Sequence, residues 1–377
     1  GEGGGGGEVG GGGGGVFIIN LFKIVMMYIR SAACISPQNT FYRQELIGEP
    51  VDHSGNRLNC IEPDYKEFID PKLIRRMSRI IKMGVAAGMA CLKEGGIKSP
   101  DAITTGTAYG CLEDTGVFLS KLVEQHEELL TPTAFIQSTH NTIGAQIALQ
   151  LHCNNYNNAF VHRGFSFESA LLDGMMLLKE GDAAHVLVGA IDEITDASHA
   201  ILTRLGLHRS SSASSLNLLN QPGKGTVNGE GSTFFLISPE ATGNDYAKIE
   251  GLSTFYKPQH HEAVEEKIAA FLAGHDLRMD DIDLVITGRN GDVQHDRLFD
   301  RLEEGILQGK RTAGFKHLCG EYPTASAFAL WLAAGIIRQQ EIPAVLQAAQ
   351  ADQPVKRILI CNQYQHLHYS LFLVSAC

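Results

Sequence analysis

The stretch Asn157-Asn158-Ala159-Phe160-Val161-His162-Arg163-Gly164-Phe165-Ser166-Phe167-Glu168 decides how this chain is read. Ala159 to His162 has the look of a strand, and the residues after Gly164 open a helix that runs to Lys179 and stops at Gly181-Asp182. His185 to Ala190 (HVLVGA) then forms a continuous apolar strand of the kind buried on both faces of a sheet. Outward from this segment the same alternation continues. Upstream lie a strand at Tyr28 to Ile35 and a helix that begins at the Asp70-Pro71 cap and ends at Gly95-Gly96. Ile74, Met77, Ile81, Val85 and Met89 give that helix one apolar face. Ala102 to Thr105 is a strand entering the Gly106 to Gly110 loop, with helices expected over Glu113 to Gln125 and Thr139 to Leu151, and a turn at Asn154 to Asn158. Downstream, strands are expected at Lys248 to Gly251, Leu284 to Thr287, Ile358 to Cys361 and Ser370 to Val374. Helices over Glu262 to Ala273, His295 to Leu307 and Ala325 to Gln339 separate them. Alternation of this kind implies α/β layers; two similar halves, residues 27–240 and 241–377, would make them a duplicated arrangement, which periodicity alone does not prove.

Composition agrees with a folded chain: of 377 residues, 44% are hydrophobic and 19% charged, which excludes a disordered polymer. A net charge of −11 without a basic block argues against sequence-independent nucleic-acid binding. The eight cysteines include no CxxC pair, so neither a disulfide framework nor a structural zinc site is expected, and a cytoplasmic setting fits best. Twelve of the first fifteen residues are glycine, and the apolar run Val16 to Met27 is too short to span a bilayer. Residues 1–26 are therefore read as an extension outside the fold, with the natural start at Met26 or Met27.

Three local patterns bear on chemistry. Gly164-Phe165-Ser166-Phe167-Glu168 lies in a strand-to-helix turn, where a nucleophile would meet the positive end of a helix dipole. It superficially resembles GxSxG but ends on Glu168; Ser166 reads more simply as a cap, since no base identifies itself. Gly223-Lys224-Gly225 and Gly229-Glu230-Gly231 run into a strand and lack the GKS/T ending of a phosphate loop. His366 and His368 on a strand would share a face, but no third metal ligand accompanies them, so a hydrogen-bonded pair is expected and no metal.

The quoted segment, with Asn141-Thr142 before it and Leu177-Leu178-Lys179-Glu180-Gly181-Asp182-Ala183 after it, resembles the surroundings of the active-site cysteine in β-ketoacyl synthases. Gly106 to Leu112, Gly225-Thr226-Val227-Asn228-Gly229-Glu230-Gly231-Ser232 and Gly314-Phe315-Lys316-His317-Leu318-Cys319-Gly320-Glu321 resemble further motifs of that family, in its order. The resemblance implies a thiolase-like αβαβα five-layer sandwich and a dimer in which Ala159 to His162 pairs across a two-fold axis. It implies no cofactor. It also implies a cysteine that receives an acyl group from acyl carrier protein and two histidines that assist decarboxylation and condensation. Placed without gaps, those positions hold Gly164, Thr287 and Glu321; Lys316 alone is retained. Glycine has no atom to acylate, threonine is no imidazole, and a carboxylate repels an enolate. The chain thus resembles the chain-length-factor partners of polyketide or aryl-polyene synthases, although it lacks the glutamine common at the cysteine position. The expected role is an inactive subunit that pairs with an active condensing enzyme, reaches acyl carrier protein through it, and shapes the acyl tunnel with Phe165, Phe167, Tyr364, His366 and His368. Rival readings are an acyltransferase using Ser166 with His162, His366 or His368 as base, and a non-enzymatic homodimer that binds an acyl chain or the carrier.

Overall fold

The computed structural model describes residues 26–377 apart from 129, 212 and 350–352, so the glycine-rich extension up to residue 25 lies outside the described residues. Ten strands make one hydrogen-bonded sheet: β1 (Met27–Ile35), β2 (Ala102–Gly106), β3 (Tyr156–Phe160), β4 (Val186–Asp192), β5 (Gly231–Ser238), β6 (Ala247–Tyr256), β7 (Leu284–Thr287), β8 (Thr312–Gly314), β9 (Arg357–Tyr364) and β10 (His368–Ser375). Their order is β8-β7-β9-β10-β6-β1-β5-β4-β2-β3. Either side of the β6–β1 seam the pattern is the same. β2 pairs parallel with β3 and β4, as β7 does with β8 and β9. β4 and β1 flank β5 antiparallel, as β9 and β6 flank β10. The two halves are therefore related by an offset of five strands, the architecture of a thiolase-like fold.

Helices α1 (Pro71–Ile74), α2 (Arg79–Gly95), α3 (Leu112–Glu124), α4 (Pro132–Gln137), α5 (Thr142–Leu151), α6 (Ser166–Glu180), α7 (Asp196–Arg204), α8 (His261–Ala273), α9 (Val293–Glu304), α10 (Lys316–Cys319) and α11 (Ser326–Gln339) complete the layers. The central layer holds α6 and α11. Phe328, Leu330, Leu332 and Ile336 are fully buried on different sides of α11, because sheet covers it from both directions. Burial of each such side chain contributes about 2 kcal/mol. Ile80, Ile81 and Val85 of α2 pack with Ile143 and Ile147 of α5 against the outer face of the first half. Val264 and Ile268 of α8 and Leu298, Phe299 and Leu302 of α9 cover the second. Among the described residues no helix is long and apolar enough to cross a membrane.

Several local expectations are corrected. The helix expected from Pro71 breaks after Ile74 and restarts at Arg79, with Ser78 extended at its N-cap. The Asn-rich turn before Ala159 is strand: β3 starts at Tyr156, where the parallel ladder to β2 outweighs the turn preference of asparagine. His366 is not on a strand. It lies in the β9–β10 turn with left-handed φ (+54°), as does Gln365 (+53°), so His366 and His368 do not share a face.

Candidate functional site

The turn between β3 and α6 carries Gly164. Arg163 before it is left-handed (φ +50°), an uncommon conformation for a residue with a Cβ. A Cβ built on Gly164 would lie 2.9 Å from His368 Cβ and Cγ and 2.9 Å from Tyr364 Cδ1. The ends of β9 and β10 thus occupy the space into which a side chain at position 164 would project. Phe165 stacks edge-on against His368 at 4.7 Å between ring centroids. Phe167, by contrast, belongs to the core, packing on Phe235 and Phe372.

Ser166 is fully buried. Its hydroxyl donates to the Arg163 carbonyl (2.8 Å) and accepts from the His162 backbone N–H (2.8 Å). This locks the turn and leaves the hydroxyl proton on a backbone carbonyl. The His162 ring contacts Ser169 instead (3.3 Å), and both His366 nitrogens are engaged, with the Tyr369 hydroxyl (2.9 Å) and the Gln294 carbonyl (3.1 Å).

Behind Tyr364 lies a closed ion pair. Lys316, entirely buried at the start of α10, donates to both carboxylate oxygens of Glu321 (2.8 and 3.0 Å) and to the Gln363 carbonyl (2.6 Å). Glu321 also accepts from Asn290 Nδ2 (2.5 Å). Burial pushes the Glu321 carboxyl up, against the pull of Lys316 and Asn290. Thr287 is not in this cluster. It sits inside β7, its hydroxyl reaching the Ala313 carbonyl at 3.4 Å. The residue that faces Glu321 is Asn290, three positions on, in the Gly288 to Asp292 loop that turns at Gly291 (φ +78°) and caps α9 through Asp292. The sequence signal for this was Asn-Gly-Asp directly before the helix, a turn-and-cap pattern. Asn290 Nδ2 also lies 3.1 Å from His295 Nδ1, and the His295 ring stands edge-on to His366 at 4.5 Å. Burial lowers His295 to about 4, which keeps it neutral near pH 7.

Two further buried carboxyls were not singled out from the sequence. Asp192, at the end of β4, accepts from the Ala108 N–H (2.9 Å) and from the Thr107 and Thr324 hydroxyls (3.1 and 2.8 Å), and so fixes the Gly106 to Gly110 loop. Glu168, in the first turn of α6, is fully buried, and neither oxygen has a well-formed hydrogen bond among the described residues. Burial lifts its carboxyl to about 7; Ser326, Ser370 and Lys316 act in the opposite sense. The folded chain holds this proton more tightly than the unfolded chain does. Its contribution to stability is therefore complete below the ordinary value near 4.5 and is lost as pH rises through about 7. Glu168→Gln is expected to abolish that loss. Urea unfolding at pH 5 and pH 9 should place the variant ahead of the wild type by about 3 kcal/mol at the higher pH only.

Among the described residues no three His, Cys, Asp or Glu side chains are grouped to hold a metal ion. Cys111 and Cys319 are fully buried, and burial pushes both thiols upward.

With this geometry in place, the chain compares as follows. Residues 57–233 match the family model described as beta-ketoacyl synthase, N-terminal domain. No curated protein sequence matches the chain. Among solved structures, the ishigamide ketosynthase/chain length factor superposes with a TM-score of 0.75 at 15% identity, covering 93% of this chain and 99% of that one. The ketosynthase ApeO in complex with its chain length factor ApeC from Xenorhabdus doucetiae gives 0.71 at 15% identity, covering 93% and 98%. A type II polyketide acyl carrier protein complex with its ketosynthase, AntDE:AntF, gives 0.71 at 13%, covering 93% and 99%. The fold is that of the thiolase-like ketosynthases. Residues 57–233 thus resemble the N-terminal domain of β-ketoacyl synthases, and the chain shares its fold with the ketosynthase and chain-length-factor structures it superposes on.

Proposed function

We propose that this chain is a condensation-inactive subunit that pairs with an active β-ketoacyl synthase and contributes to the wall of its acyl tunnel. The observation that carries this is position 164: a glycine, with the volume of any larger side chain already taken by His368 and Tyr364. The neighbouring centre supports it, since the positions expected to hold imidazoles carry Thr287, which bonds within the sheet, and Glu321, which is paired with Lys316 and Asn290. No nucleophile–base pair forms at Ser166, whose hydroxyl is engaged by backbone on both sides. The isolated protein is expected to take up no acyl group from a labelled acyl carrier protein thioester; stoichiometric covalent loading would sink this reading.

The partner surface is proposed to be the free edge at β3. The Phe160 carbonyl points back toward β2, accepting from Thr107 N–H, so by alternation Asn157 and Ala159 direct their backbone groups outward. Leu149, Tyr156 and Val161 are exposed along this edge, as are Val123, Phe135 and Ile136 on α3 and α4. An apolar margin beside an unpaired strand is the surface that a second thiolase-like subunit would cover. Ala159→Pro removes the outward N–H and is expected to abolish co-purification with a partner synthase while leaving the monomer folded. Size-exclusion chromatography with light scattering checks both. Recovery of this chain only as a self-paired dimer would favour the homodimeric carrier-binding reading instead.

A further inference from the structure

We propose that a hollow between the N-terminal turn of α8 and the exposed face of α9 is a binding site for a phosphate monoester. This goes beyond the subunit reading and does not depend on it. The hollow encloses about 310 Å³ and lies outside the sheet of the second half. Arg297 and Arg301, one turn apart on α9, line one wall, and His260 and His261 at the start of α8 line the other. In a chain of net charge −11, two guanidinium groups converging on one cavity make a local reversal of sign.

The charges are differently disposed. Arg301 is pinned by His261 (Nη1 to Nδ1, 2.5 Å), which fixes its guanidinium at the rim. Arg297 is exposed and has no hydrogen bond or ion pair with any described residue, so its fork of donors is available. His260 spends Nδ1 on the α8 cap, accepting from the Ala263 N–H (3.2 Å). Glu262, between the two histidines, is held by His261 Nε2 (2.9 Å), while its other oxygen lies 3.1 Å from the His260 Nδ1 already occupied by the Ala263 N–H. The thirteen-residue α8 adds the positive end of its dipole.

Size and lining decide between a bare ion and an ester. The space exceeds what one phosphate fills, and the remaining wall is largely apolar, built from Pro258, Val264, Leu298 and the Tyr369 ring, with Gln294 and His366 as its polar members. A tetrahedral dianion on the arginines with an organic group against Leu298 and Tyr369 uses both surfaces. Deeper in, His366 borders the cavity and touches His295, which reaches Asn290 and so the Glu321 centre. Occupancy of the hollow is thereby in contact with the polar chain behind Tyr364.

Titration calorimetry of the full chain with phenyl phosphate and with inorganic phosphate tests this. Phenyl phosphate is expected to bind at least about tenfold tighter than inorganic phosphate. Arg297→Ala should weaken it about tenfold, the effect of one lost charge-assisted hydrogen-bond pair. Arg43→Ala, at a distant exposed cation, should leave affinity unchanged, and circular dichroism verifies that each variant is folded. The proposal is overturned by undetectable binding of phenyl phosphate, by equal affinity for the bare ion, or by a folded Arg297→Ala variant that binds like the wild type.

Discussion

Gly164→Cys is expected to restore no acyl loading, and to lower stability by about 2 kcal/mol or more. A new Cβ meets His368 and Tyr364 at 2.9 Å, and the sulfur beyond it needs still more room. Forced overpacking of a close-packed interior costs about 1–3 kcal/mol. The relief routes are poor. Tyr364 and His368 are the paired ends of β9 and β10, and the turn that joins them already carries two left-handed residues. The imidazole beside such a thiol, His368, is held below its ordinary value by burial and stays neutral near pH 7, so it offers no cation to draw the thiol toward thiolate. Mass spectrometry after exposure to an acyl carrier thioester, alongside urea unfolding, reads both effects. A stable Gly164→Cys variant carrying one acyl group per chain would show that the centre was merely missing its sulfur, and the subunit reading would fail.

The second large effect is expected at Arg79. Its guanidinium is bidentate on Glu230 (2.8 and 2.5 Å) and also meets Glu62 (2.7 Å). Glu230 is fully buried and accepts from the Cys60 and Ile194 N–H groups as well (2.7 and 2.8 Å). One carboxylate thus joins the start of α2, the loop at Cys60 and the segment after β4. Removal of one partner of such a pair leaves an uncompensated buried charge, at a cost of about 3–5 kcal/mol. Arg79→Ala should lower the unfolding free energy by about that amount, while Arg79→Ala combined with Glu230→Gln should recover part of it. A single variant within 1 kcal/mol of wild type, by the order of this estimate, would mean that solvent reaches Glu230 and screens it.

The layered fold was legible because its signals are local: apolar runs such as His185 to Ala190, and glycine stops at Gly96 and Gly181, both left-handed in the structure. The β3 start was not, because asparagines favour turns until a neighbouring strand supplies the ladder. Gly164 and Glu321, singled out from motif spacing, both lie beside Tyr364. Thr287 lies inside β7, and it is Asn290, in the following loop whose course is set by the α9 cap, that reaches Glu321. From the sequence, Glu168 falls in the first turn of the helix that opens after Gly164, where a carboxylate is ordinary. Only the packing of α6 against α11 and β10 reveals that it is shut away from water.

At the rim of the sheet, the Asn158 side chain accepts from the Ala159 N–H at 2.9 Å, on the same strand whose outer groups face solvent. A bare strand margin invites indiscriminate adhesion by any extended peptide. Here the asparagine acts as a removable stopper: an incoming chain gains that donor only by evicting the amide first. On the proposed pairing, a partner subunit has to offer the Ala159 N–H a better acceptor than the Asn158 amide.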